Sequence, residues 1–287
     1  MKKYKLLIVF FVGINCTEYV YAQQKMVTGK GKLFIIGGGD RPPALMKSLA
    51  NTAALGTKDF AVVLPMSSAE PDTSFFYFKE DWAAVSDKPI VNLNFTQQKV
   101  NDKIWLDSLK QAKLIFITGG DQDRFMKIVE NSPVYAAIHQ AYQNGATIAG
   151  TSAGAAVMSK HMITGSAYSD TVYRATFRSL ISNNIEIKTG LGLIKNAVID
   201  QHFVVRSRYN RLLSALALYP TLACIGIDEA TAIIVSGNTI KVSGIGQVIV
   251  MKNPNQLTIT NSKLIKFKDI SFSIFTDGDT FLIGSGK

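Results

Sequence analysis

Ser152 stands in Gly150-Thr151-Ser152-Ala153-Gly154, a G-x-S-x-G pentapeptide. The apolar run Ala146-Thr147-Ile148-Ala149 precedes it and the helix-forming run Ala155-Ala156-Val157-Met158 follows. A serine hydroxyl becomes a nucleophile when a sharp strand-to-helix turn exposes it and a base takes its proton. The same small residues would also suit an ordinary packing turn, so the pentapeptide alone does not decide. The sequence holds three His. His202 follows Asp200-Gln201 at the end of the apolar run Ala197-Val198-Ile199, where a base from a neighbouring strand can approach the serine. His139 falls inside a helical pattern and His161 just past the elbow helix, so neither is well placed. An oxyanion needs backbone donors: the amide of Ala153 is the first expected, and Gly120 in Thr118-Gly119-Gly120-Asp121-Gln122 the second, because glycine lets the chain come close. Arg206, Arg208 and Arg211 lie within nine residues of His202. Such a cluster suits a solvated helix face, but guanidinium groups also grip carboxylates, and beside a base at least one is expected to meet substrate.

These residues are useful only if several strand ends share one edge. The chain predicts strands at 32–36, 59–64, 90–95 and 114–117, alternating with helices at 43–54, 75–85, 102–111, 123–130 and 134–143. The strands are continuous apolar runs, as in buried parallel sheets. An α/β fold follows, its mainly parallel sheet flanked by helices, with sites beyond the carboxyl ends of the strands. Gly37-Gly38-Gly39, Gly119-Gly120 and the G-x-S-x-G turn then point at one edge. No dinucleotide or Walker pattern follows the first of these. Residues 164–178 read as polar loop, 197–199 as a short strand and 206–219 as a helix. Beyond Cys224 short strands and turns give a β-rich C-terminal part.

The chain has 287 residues, 47% hydrophobic and 18% charged, enough for a sizeable core. Lys2, Lys3 and Lys5, an apolar stretch at 6–12 and the small residues of Val20-Tyr21-Ala22 read as a signal peptide over 1–22, cleaved after Ala22. Residues 23–287 then form one domain that is exported to a periplasm or the medium and not inserted in a membrane. A lipoprotein processed at Cys16 is the weaker alternative, since Gly13-Ile14-Asn15 makes a poor lipobox. The formal net charge is +10; the leader carries three Lys and one Glu, which leaves about +8. Export and the absence of a recognition motif argue against nucleic acid. Cys224 lies in an apolar run and reads as a packing residue, and no zinc-ligand spacing is present.

The chain resembles the serine peptidase family of cyanophycinases and peptidase E. The carriers are Ile36-Gly37-Gly38-Gly39-Asp40, Thr118-Gly119-Gly120-Asp121-Gln122, Gly150-Thr151-Ser152-Ala153-Gly154-Ala155, Thr189-Gly190-Leu191-Gly192-Leu193, Asp200-Gln201-His202-Phe203 with its three Arg, and Gly226-Ile227-Asp228-Glu229-Ala230-Thr231-Ala232. The resemblance implies a fold similar to class I glutamine amidotransferases and a serine exopeptidase with Ser152 as nucleophile and His202 as base. It implies substrate contacts at Gln122, Asp200 and Arg206. For the acid behind the His, it points to the region after the elbow, where Asp170 is the nearest carboxylate and Glu186 the runner-up. The implied substrate is cyanophycin, a poly-aspartate with arginine on each β-carboxylate, released as β-Asp-Arg. A dipeptidase for short Asp-peptides is the alternative, and a non-catalytic binding protein on the same scaffold a third. No metal or organic cofactor is implied, and a homodimer is compatible with the sequence.

Overall fold

A computed structural model describes residues 31–169 and 179–284. The chain begins with five strands, β1 (Lys32–Ile36), β2 (Ala61–Leu64), β3 (Ile90–Asn92), β4 (Leu114–Ile117) and β5 (Thr147–Thr151). Five helices connect them: α1 (Pro43–Ala53), α2 (Pro71–Ala83), α3 (Lys103–Gln111), and α4 (Gln122–Val129) with α5 (Pro133–Gln143). After the four-residue α6 (Ala153–Ala156) come β6 (His161–Ala167), β7 (Ile185–Thr189), β8 (Ala197–Gln201) and α7 (Tyr209–Leu218). The remainder is β9 (Ala223–Ile227), β10 (Thr231–Ser236), β11 (Thr239–Gly244), β12 (Val248–Asn255), β13 (Thr258–Ile259), β14 (Ile265–Lys266), β15 (Asp269–Phe275) and β16 (Thr280–Leu282).

The main sheet has the order β16-β11-β10-β1-β5-β4-β2-β3. From β1 to β3 all neighbours are parallel, and β10, β11 and β16 extend the sheet antiparallel. Successive strand residues face opposite sides. Leu33, Ile35, Val62, Leu64, Ile115 and Ile117 pack with α3, α4 and α5 on one face. Phe34, Ile36, Val63 and Phe116 pack on the other with Leu45, Met46 and Leu49 of α1 and Phe78 and Trp82 of α2. Each such side chain contributes about 1.5–3 kcal/mol relative to exposure. The α/β expectation with its parallel sheet and β-rich end therefore holds.

Three local features depart from the sequence reading or add to it. The elbow helix is only α6, four residues long, because the chain turns at once into β6. Residues 161–167, read partly as loop, form a strand paired with β7; only Met162 and Ile163 of its centre are buried, so no apolar alternation announces it. Finally, β8 and β9 are parallel partners in a separate sheet, β15-β12-β9-β8. That second sheet abuts the end of β1: the His202 amide donates to the Gly37 carbonyl at 2.7 Å.

Candidate active site

β5 lies between β1 and β4, so three strand ends meet around Ser152. Ser152 has φ 53° and ψ −110°, a region that a side chain normally avoids and that costs on the order of 1–3 kcal/mol. Its amide donates to the Ile36 carbonyl at 3.1 Å, which pins the turn to β1. The flanking glycines are required by contact. A Cβ on Gly150 would lie 2.4 Å from the Gly154 carbonyl oxygen, and one on Gly154 would lie 2.2 Å from that of Ile117.

Ser152 Oγ lies 2.8 Å from His202 Nε2. His202 Nδ1 lies 2.6 Å from Glu229 Oε1. With the neutral ring protonated on Nδ1, that N–H donates to Glu229 and Nε2 accepts from the Ser152 hydroxyl. This is the geometry of an activated serine. His202 is 8% exposed. Burial lowers its pKa below the ordinary imidazole value; the Glu229 hydrogen bond opposes this, and the cationic Arg206 and Arg208 add to it. The ring is therefore neutral and able to accept a proton near pH 7.

Glu229 is the carboxylate that sequence reasoning missed. Asp170, the expected acid, lies outside the described residues. Glu186, the runner-up, accepts from Thr164 Oγ1 at 2.7 Å and lies 3.6 Å from Lys188 Nζ. Glu229 sits in the turn between β9 and β10, and the glycine turn after β1 locks it there. The Ala230 amide donates to the Gly38 carbonyl at 2.9 Å, and the Gly37 amide donates to Thr231 at 2.9 Å. A Cβ on Gly38 would lie 2.3 Å from the His202 ring, and one on Gly39 would lie 2.7 Å from Glu229 Cβ. The glycine run thus makes room for the imidazole and carboxylate. Asp228 completes the lock: its Oδ1 accepts from the Val204 and Val205 amides, each at 3.1 Å, holding the turn that follows His202. The signal was present in Gly226-Ile227-Asp228-Glu229-Ala230-Thr231-Ala232, which carried the resemblance without a role for its acids.

The remaining candidates divide. Gly120 has φ +135°, and its Cα packs on the Ser67 carbonyl, where a Cβ would come within 2.2 Å. Gly119 is the member of the pair that lines the space beside Ser152. Asp121 is the cap of α4, accepting from the Asp123 and Arg124 amides. Gln122 is 7% exposed, and its Nε2 donates to the carbonyls of Ile163 and Thr164 at 2.9 and 2.5 Å. Asp200 is fully buried and pairs with Arg211, whose Nε donates to Oδ2 at 2.9 Å; it acts behind the arginines rather than at the surface. Arg208 Nη1 donates to the Gln201 carbonyl at 2.7 Å. Arg206 is exposed. Gln122, Gly165 and Arg211 converge, a Cβ on Gly165 lying 3.9 and 4.0 Å from the other two side chains.

The other two histidines are engaged elsewhere. His139 Nε2 bonds the Leu191 carbonyl at 2.8 Å, and His161 stacks on Tyr219 at 4.1 Å. Cys224 is buried, and burial pushes its thiol pKa up, so it is no nucleophile.

The model of Peptidase family S51 matches residues 33–243. A cyanophycinase of Trichormus variabilis is 31% identical over 266 residues, covering 88% of this chain and 85% of that protein. A cyanophycinase of Geminocystis herdmanii is 32% identical over 217 residues, covering 75% of this chain and 76% of its own. The crystal structure of a peptidase from an acI-B1 Actinobacterium has a similar fold, with TM-score 0.61 at 23% identity, covering 88% of this chain and 96% of that one. The chain is a serine-type peptidase and belongs to Peptidase family S51.

Proposed function

We propose that this chain is an exported exopeptidase of cyanophycinase type. The observation that carries the reading is the hydrogen-bonded series Ser152 Oγ, His202 Nε2, His202 Nδ1, Glu229 Oε1. Ser152 attacks the carbonyl of an α-peptide bond beside an aspartate whose β-carboxylate carries a further group. As the Oγ–C bond forms, His202 Nε2 takes the hydroxyl proton, and Glu229 stabilises the resulting imidazolium. The amide of Ala153 and the Gly119-Gly120 turn, whose Gly119 is the member beside Ser152, hold the oxyanion. His202 then gives the proton to the departing amine as the C–N bond breaks. Water, deprotonated by the same His, releases the acyl group from Ser152.

The acyl part of the substrate meets the side of Ser152 where Gln122 and the three arginines stand. Asp200 sets the Arg211 fork, and the exposed Arg206 is free to meet a substrate carboxylate. The substrate class rests on the likeness to cyanophycinases, which share 28–32% of their residues with this chain. Export through residues 1–22 fits the use of polymer released by other cells.

The test is to incubate the purified protein with cyanophycin and, separately, with Asp-X dipeptides. Release of β-Asp-Arg from the polymer is expected, and Ser152→Ala abolishes it. Cleavage of the dipeptides alone would replace the polymer by short Asp-peptides. Hydrolysis that Ser152→Ala leaves intact would overturn the peptidase assignment of this site. For the leader, mass measurement of the protein from its natural envelope is expected to give an N-terminus at Gln23; a lipid-modified Cys16 would contradict this.

A further inference from the structure

The turn that faces Ser152 from the end of β4 is fastened largely to one residue, Ser67, in the loop after β2. The Thr118 amide donates to the Leu64 carbonyl of β2 at 3.3 Å. The remaining ties all come from Ser67. Its Oγ donates to the Thr118 carbonyl at 2.8 Å. Its carbonyl accepts from the Asp121 amide at 2.8 Å. Gly120, at φ +135°, rests its Cα on that same carbonyl. Ser67 is fully buried, so water cannot take over these contacts.

Between the bonded amides of Thr118 and Asp121, those of Gly119 and Gly120 donate to no backbone carbonyl among the described residues. A Cβ on Gly119 would lie 3.5 Å from Ser152 Cβ, so this part of the turn adjoins the nucleophile. The Thr118 carbonyl and the Gly119 N–H belong to one planar trans peptide and point to opposite sides of it. The bond from Ser67 Oγ to that carbonyl therefore also aims the Gly119 N–H away from Ser67. Such a donor stabilises an oxyanion only when it is fixed before the charge develops. Ser67 is itself held: Arg124 Nη1, from α4, donates to its carbonyl at 2.9 Å.

We propose that Ser67 is a positioning residue for the reaction, aiming the Gly119 amide at the oxyanion, and that Arg124 supports it. Neither residue touches a reacting atom. Without the Ser67 hydroxyl the Thr118–Gly119 peptide loses the tie that sets its tilt, and the amide no longer meets the developing charge squarely. Substrate in its ground state carries no such charge, so its binding is unaffected. The inference rests on the serine peptidase reading.

The experiment compares Ser67→Ala and Arg124→Met with wild type on a peptide that wild type hydrolyses, and measures the affinity of each for an aspartyl peptide aldehyde. The aldehyde adds to Ser152 and places an oxyanion against the turn. Loss of an oxyanion donor costs about 10²–10³ in kcat, so a misaimed one is expected to cost about ten- to a hundredfold in Ser67→Ala. KM should stay within about twofold, aldehyde affinity should fall by a factor similar to that in kcat, and the acid limb set by His202 should not move. Arg124 is exposed, and Arg124→Met should give the same pattern at about three- to tenfold; it decides the matter if Ser67→Ala does not fold. Near-normal kcat, a loss confined to KM, unchanged aldehyde affinity or a shifted acid limb overturns the positioning role and leaves the peptidase reading intact. Wild type that neither cleaves nor binds the aldehyde overturns both.

Discussion

The nucleophile and the pair behind it are held in different ways. Ser152 is placed by its own pentapeptide: a left-handed turn, two contact glycines and a bond to the adjacent β1. His202 and Glu229 arrive from β8 and β9 of the second sheet, 27 residues apart in sequence. They are held by Asp228 and by the glycine turn after β1. The nucleophile is thus a local device, whereas the base and acid depend on docking one sheet against another. A local device tolerates distant change; a docked one does not.

That contrast can be broken by mutation. Ser152→Ala removes the reacting atom and is expected to lower kcat by about 10⁴–10⁶ with the fold retained, as read by single-turnover hydrolysis and circular dichroism. Gly38→Ala removes no reacting atom, yet its Cβ would overlap the His202 ring. It should cost on the order of 10² in kcat, because displacement of a catalytic group by about 1 Å is enough for that. Near-normal kcat in that variant would show that the glycine turn does not position the base. Asp228→Ala frees the turn after His202 and is expected to lower kcat roughly tenfold with KM little changed. An equal loss in both would point to substrate binding instead.

Charge offers the smallest effect. The base form of His202 is the active one, so activity is lost as pH falls through its pKa. That pKa is lowered, which puts the acid limb below pH 6.5. Arg206→Ala removes a cation that holds it down, and the acid limb of kcat/KM should move up by a few tenths of a pH unit. A downward shift would contradict the electrostatic role.

The same contrast explains what the sequence revealed. Strands β1 and β4 are continuous apolar runs, and the structure returns them with the expected bounds. The elbow needs only five residues, so Ser152 was legible, and His202 followed because few histidines compete. Glu229 was not legible as the acid. The search lay between serine and histidine, in the order Ser, acid, His, whereas the hydrogen-bonded order here is Ser, His, Glu. Its place is set by the parallel pairing of β8 with β9 and by the Gly37-Gly38-Gly39 contact, both long-range. Asp200 was legible as important but not as buried: its partners are Arg211 and Arg208, which reach it from α7 and from the residue just before that helix.

The central claim is that Glu229 is the carboxylate behind His202. The direct measurement is kcat for Glu229→Gln beside Asp170→Asn, on one peptide that wild type hydrolyses. The structure predicts a loss of about 10²–10⁴ for Glu229→Gln and a rate near wild type for Asp170→Asn. A mild effect at Glu229 with a severe one at Asp170 would contradict it.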